Sequence, residues 1–242
     1  MKLAGVLALG LATGGWFVLA AQGGEKVVAA YRTSLEGRTP NQRFNAELAL
    51  GPLNGQVIGA GETFSFNKVV GSFARDDGYR KAPVSYNGQL ISTWGGGVCQ
   101  TSTTLYNAAL LAGLAVIERH PHRFAPTYVP PGRDAAVAFE NIDLKVKNVH
   151  SFPLRIRAQR VGGSIEIAFL GPRDLATKPV VQSVVLQRLS AGVAVIGEGD
   201  KRRMRNRGKD GFEVQVVRQT GSLRENISQN RYPAMQRVIQ RS

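Results

Sequence analysis

The sequence holds one cysteine, Cys99, in 242 residues, and only three histidines, His120, His122 and His150. A lone cysteine excludes an internal disulfide framework and any metal site built from clustered thiolates. No cofactor and no metal is expected. Acidic residues are scarce too: 17 Asp and Glu stand against 31 Lys and Arg, a net charge of +14. No nucleic-acid-binding motif accompanies that excess. The expected polyanionic partners are therefore anionic wall polymers or a membrane surface, not nucleic acid. Heptads, a collagen-like period and repeats of about 20–50 residues are also missing, which excludes fibrous and solenoid architectures.

What is present begins with an uncharged leader. After Lys2, the stretch Leu3–Ala21 carries no charge, ends in small residues and gives way to polar Gln22–Glu25. That is the layout of a secretory signal. A retained anchor is the alternative, because the stretch approaches the roughly 20 residues that span a bilayer, although Gly10, Gly14 and Gly15 weaken it as a spanning helix. Either way the protein is expected to be exported to the cell envelope. Exported proteins usually pair their cysteines. An unpaired Cys99 is then a buried inert thiol, half of an intermolecular bridge, or a reactive nucleophile.

The rest reads as an α+β protein, rich in antiparallel sheet, with a few helices. Residues 22–38 read as a linker, 39–172 as the main domain and 173–242 as a basic β-rich extension. Thr39-Pro-Asn-Gln42 is a capping-box helix start, with Phe44, Leu48 and Ala49 on one face and Gly51-Pro52 as the stop. Gln56–Ile58 and Glu62–Phe66 alternate like short strands, and Asn87-Gly88 signals a two-residue hairpin. A helix is expected over about Cys99 to Ala112, ended by Gly113, then a strand over Leu114–Glu118. Beyond, Ile142, Leu144 and Val146 alternate with Asp143, Lys145 and Lys147. Leu154, Ile156 and Ala158 alternate with Arg155, Arg157 and Gln159, and Gly162-Gly163 turns into Ile165, Ile167 and Phe169. This pattern predicts an antiparallel meander with one wet face. Gly171-Pro-Arg-Asp174 marks a boundary. After it, strands are expected over Val180–Leu186, Ala194–Ile196 and Phe212–Arg218. Leu175–Ser242 carries 13 basic and 5 acidic residues, +8 of the total charge. Its densest run, Lys201–Lys209, reads as a solvated basic loop or a polyanion contact.

Gly95, Gly96 and Gly97 precede the Cys99 helix. Glycines let a backbone approach a ligand closely, and the amides at a helix start favour an anion or a developing oxyanion. A thiol there has its pKa lowered. A nucleophile also needs a base. His120 and His122 share the loop Glu118-Arg-His-Pro-His-Arg123, Asp134 can orient a histidine, and Arg133 can bind a substrate carboxylate. Each also has an ordinary reading as a loop salt-bridge partner.

Four segments carry a resemblance: Gly61-Glu-Thr-Phe-Ser-Phe-Asn67, Gly95-Gly-Gly-Val-Cys-Gln-Thr-Ser-Thr-Thr-Leu-Tyr-Asn-Ala108, Glu118-Arg-His-Pro-His122 and Tyr128-Val-Pro-Pro-Gly-Arg-Asp-Ala135. Together they resemble the VanW family, named from vancomycin-resistance gene clusters, over about Arg32 to Gly171. Some VanW domains are regarded as cysteine L,D-transpeptidases. The resemblance therefore implies Cys99 as the acyl-accepting nucleophile, and His122 rather than His120 as the base, with Asp134 beside them. Gly95, Gly96, Gly97, Gln100, Thr101, Ser102, Tyr128 and Arg133 would face the substrate, a peptidoglycan stem peptide. Transfer to an amine would make a transpeptidase, and transfer to water a carboxypeptidase. The rival reading is a non-catalytic peptidoglycan-binding accessory protein in which Cys99 only packs.

Overall fold

The structure is a computed structural model that describes residues 24–86, 89–139 and 141–242. The uncharged leader and Asn87-Gly88 lie outside the described residues. Among those described, the chain order is β1 (Lys26–Ser34), α1 (Pro40–Leu48), α2 (Leu50–Leu53), β2 (Val57–Ile58), β3 (Thr63–Ser65), α3 (Phe66–Val70), β4 (Lys81–Tyr86), β5 (Gln89–Trp94), α4 (Val98–Leu111), β6 (Ala115–Glu118), β7 (Lys145–Lys147), β8 (Leu154–Val161) and β9 (Ser164–Gly171). Six strands follow: β10 (Val180–Leu189), β11 (Val193–Ile196), β12 (Arg202–Lys209), β13 (Gly211–Thr220), β14 (Leu223–Tyr232) and β15 (Met235–Arg241). None of the described helices is long and apolar enough to cross a membrane.

The protein is thus sheet-rich with few helices. The sheets run in the orders β1-β9-β8-β2, β3-β7-β6, β4-β5, β10-β13-β14 and β11-β15-β12. Among the described residues every strand pairing is antiparallel except β11 with β15. The capping box forms as its residues dictate: Gln42 N donates to Thr39 Oγ1 at 3.3 Å and Thr39 N to Gln42 Oε1 at 3.0 Å. The hairpin forms as well, with Tyr86 opposite Gln89.

At the centre lies α4, packed on β1, β9 and α1. Every residue from Gln100 to Leu110 is buried. A helix enclosed all round must satisfy its polar side chains internally. Thr101 Oγ1 donates to Ala46 O at 2.8 Å, and the Thr104 and Thr33 hydroxyls meet at 2.8 Å. The apolar stripe expected from Leu105, Ala108, Ala109 and Ala112 is therefore one side of a helix whose polar side is just as deeply buried.

Several expectations are corrected. The stretch read as a linker is mostly β1, paired along β9. A bulge between Val27 and Ala29 shifts its phase, so Val28 and Thr33 point inward at an odd spacing and no alternation shows. Gly51-Pro52 does not stop the helical path. The chain bends at Ala49 and runs a further turn through both residues, with Pro52 in that first turn, where a missing N–H costs nothing. The meander begins only at β8, because β7 pairs with β3 and β6 in another sheet. Asn148 holds the corner between them, donating to Ile58 O at 3.0 Å and Phe152 O at 2.9 Å. Asp143 is not on a wet face. It is buried, accepting from Ser65 Oγ at 2.6 Å and from the Asn67 amide at 2.9 Å. The basic run is strand β12, not a loop.

The extension also packs into the main domain. Val181 and Val216 join the principal core, and Arg218 Nη1 donates to Leu114 O at 2.7 Å. Gly132 lies so close to this face that a Cβ there would sit 2.7 Å from Val216 Cγ2.

Candidate active site

Cys99 sits in the first turn of α4, half-buried. Its thiol donates to Val137 O at 3.4 Å, and the His122 imidazole is the neighbour that acts most strongly to lower its pKa. On the far side of the ring, His122 Nδ1 lies 2.7 Å from Asp134 Oδ2, and the same oxygen accepts from the His122 amide at 2.7 Å. Asp134 therefore engages Nδ1 and leaves Nε2 to face the sulfur. The three side chains form a line from partly open to fully enclosed, since Asp134 has no exposed surface.

The electrostatics follow from that line. Burial works against the thiolate of Cys99, but the hydrogen bond and charge of His122 outweigh it and bring the thiol below its ordinary range. Burial likewise works against the imidazolium, yet Asp134 and then Cys99 hold its proton, so the His122 pKa is pushed up to about 10. For Asp134, desolvation is opposed by His122 and Arg119, and its carboxyl stays below the usual range. Both shifts favour the thiolate–imidazolium form of the pair, as does the helix start.

The remaining candidates fall into three places. Tyr128 lines the site: its hydroxyl donates to Cys99 O at 3.4 Å, and Arg38 stacks on its ring. His120 turns away. Its Nε2 lies 3.0 Å from Glu118 Oε1, and Glu118 is drawn down to about 2 by Lys145 first and His120 second. Gln100, Thr101 and Ser102 do not face a substrate. Gln100 Nε2 donates to Ser34 O at 2.7 Å and Ser102 Oγ to Ala135 O at 2.7 Å, and all three are buried. Arg133 is buried, with Nε held 2.6 Å from Asn107 Oδ1, the guanidinium over Tyr31 and Nη2 left without a hydrogen-bond partner.

The glycine triplet is also reassigned. Its residues approach protein, not a ligand. A Cβ on Gly95 would lie 2.5 Å from Phe73 Cβ, on Gly96 2.7 Å from Ala82 O, and on Gly97 2.3 Å from Gln42 O. The Gly95 amide is spent on Arg80 O at 3.3 Å, and Asn45 Nδ2 holds Gly96 O at 2.9 Å. The triplet lets three neighbouring segments close on the nucleophile loop.

Sequence reasoning missed the braces behind Asp134. Arg119 Nη2 lies 3.0 Å from Asp134 Oδ1, and its Nε donates to the Asp134 carbonyl at 2.6 Å. Tyr232 Oη donates to Asp134 Oδ1 at 2.5 Å, and Arg119 Nη1 to Asn230 Oδ1 at 2.5 Å. Arg119 lay beside His120 in the loop and carried a signal only through adjacency. Nothing in the sequence tied Asn230 or Tyr232 to it. Among the described residues, no group of three or more His, Cys, Asp and Glu is placed to hold a metal ion.

The VanW like protein family model matches residues 41–170, more than half of the chain. The chain is 41% identical over 137 residues to the uncharacterized protein YoaR of Bacillus subtilis (strain 168), covering 57% of this chain and 45% of that one. It is 38% identical over 113 residues to the Vancomycin B-type resistance protein VanW of Enterococcus faecalis (strain ATCC 700802 / V583), covering 45% of this chain and 41% of that one. The matched stretch thus spans under half the length of either relative. No solved structure matches.

Proposed function

The chain belongs to the VanW family, and we propose that it is an exported cysteine acyltransferase acting on peptidoglycan stem peptides. The observation that carries this reading is the Cys99–His122–Asp134 line, with Asp134 fixing the ring so that its other nitrogen meets the sulfur. Such an arrangement is an activated nucleophile with an oriented acid–base partner.

The Cys99 thiolate attacks the carbonyl between an L-centre and a terminal D-residue. A C–S bond forms, the C–N bond breaks, and the His122 proton passes to the departing amine. An incoming stem amine then attacks the thioester and gives its proton to His122, while the sulfur leaves as thiolate. Water in place of the amine gives carboxypeptidase turnover. The oxyanion would be met by the Cys99 amide, which lies in the first helical turn, where N–H groups have no intrahelical acceptor. Tyr128 would line the acyl side. The uncharged leader supports a reaction outside the cytoplasmic membrane, which a secretion-dependent reporter fused after Ala21 checks.

Incubation with a stem tetrapeptide followed by intact-mass measurement tests the chemistry. The wild type should gain the acyl mass and release the D-residue, and Cys99→Ser should do neither. A wild-type protein that binds the peptide without either event would instead be a wall-binding accessory protein.

A further inference from the structure

The sheet β11-β15-β12 carries a pattern that the acyl-transfer reading does not use. In a ladder, residues directly opposite project to the same face. Val195 pairs with Ile239 and Ile239 with Met204, so one apolar row crosses all three strands. On one side of that row Arg202 stands opposite Arg241. On the other, Arg207 stands opposite Arg237, which is also paired with Val193. The bulge between Met204 and Asn206 puts Arg202 and Arg207 on this common face, since without it their odd spacing would send them to opposite faces.

The face is unpartnered. Val193 is 58% exposed, Val195 51% and Met204 50%. Among the described residues no acid forms an ion pair with Arg202, Arg207, Arg237 or Arg241. Directly opposed like charges destabilise a sheet unless an anion lies between them. Guanidinium pairs suit phosphate, which they meet with several donors at once. A hydrophilic polyanion would use the arginines and leave the Val195–Ile239–Met204 row in water. A bilayer uses both.

We propose that this face of β11-β15-β12 docks on a membrane surface carrying anionic phospholipids. The two arginine pairs grip headgroup phosphates while the row between them enters the boundary of the acyl chains.

Partitioning of the full chain between buffer and vesicles tests this, read as the ratio of binding to phosphatidylglycerol-containing and to pure phosphatidylcholine vesicles. That ratio cancels the contribution of the uncharged leader. Arg202→Gln with Arg241→Gln should lower the ratio by about tenfold or more. Val195→Ser with Met204→Ser should weaken binding to the anionic vesicles severalfold and leave binding of soluble polyphosphate unchanged. An unaltered Cys99 alkylation profile in both variants shows that the fold is intact. A wild-type ratio in the arginine variant overturns the proposal. So does an apolar-row variant that binds anionic vesicles as the wild type does, which would mark the face as one for a soluble polyanion.

Discussion

Tyr232 and Asp134 are joined by a 2.5 Å hydrogen bond although 98 positions separate them in sequence. The phenol that makes it sits at the end of β14, in the extension, and packs beside Ala125 and Val214. The carboxylate that orients His122 therefore depends on a strand from the far end of the chain. Tyr232→Phe should keep the fold, because the ring still fills its site. It should slow acyl transfer by about tenfold or more, since a hydrogen bond to a charged group contributes about 1.5–3 kcal/mol. Single-turnover release of the D-residue measures this, and an unchanged rate would show that Arg119 alone positions Asp134.

Removing Leu175–Ser242 should cost the main domain more than surface charge. It takes away Tyr232, Asn230, the Arg218 contact with Leu114 O and the core residues Val181 and Val216. The expected outcome is a lower Tm together with a weaker, more alkaline reactivity of Cys99. A truncated chain that melts like the wild type and alkylates with the same pH profile would show that the extension is an independent appendage.

The pH dependence of Cys99 alkylation follows from two opposed shifts. The lowered thiol pKa means that thiolate is lost only as pH falls below the ordinary thiol range. The imidazolium, raised to about 10, is lost as pH rises through that value. Alkylation by iodoacetamide should therefore titrate with an apparent pKa below the reference of about 8.5. Acyl transfer, which needs the imidazolium proton, should fall off toward pH 10. In Asp134→Asn the imidazolium loses its main support, so the alkylation midpoint should move up. A midpoint that stays in place would remove Asp134 from the relay.

Gly97→Ala should destabilise the protein by at least about 2 kcal/mol, because the added Cβ would meet Gln42 O at 2.3 Å and the backbone there has φ +116°. For a chain of this size that is a fall in Tm of about 4–8 °C. Gly163→Ala, with no heavy atom within 4 Å of the added Cβ, is the control and should melt as the wild type does. Equal melting of the two variants would return the glycine triplet to a ligand-facing role.

Local signals were legible where local chemistry decides the outcome. The Thr39–Gln42 capping box, the pairing of β4 with β5 and the span of α4 can each be read from a few adjacent residues. Cys99, His122 and Asp134 could be named as candidates from residue type and loop position, and the structure brings these three together while sending His120 to Glu118. Illegible were features set by partners distant in sequence. A bulge hid β1, a hydrogen bond to Asn107 withdrew Arg133, and Asp143 went inside because Ser65 and Asn67 receive it there. The braces Arg119 and Tyr232 belong to the same class, since no periodicity connects a loop with a strand more than a hundred residues away.

The seating of Gly95–Gly97 against Phe73, Ala82 and Gln42 separates two kinds of information that the motif around Cys99 carries in one run. The triplet reports on scaffold. In this chain the fold needs it, whether or not Cys99 reacts. Under the proposed function, chemistry is reported by the thiol, the ring and the carboxylate alone. A genome survey keyed to the triplet would therefore gather chains with and without the three reacting groups together. One keyed to positions 99, 122 and 134 would sort them, and a chain keeping the glycines but carrying serine at position 99 should be scored as a fold without a reaction.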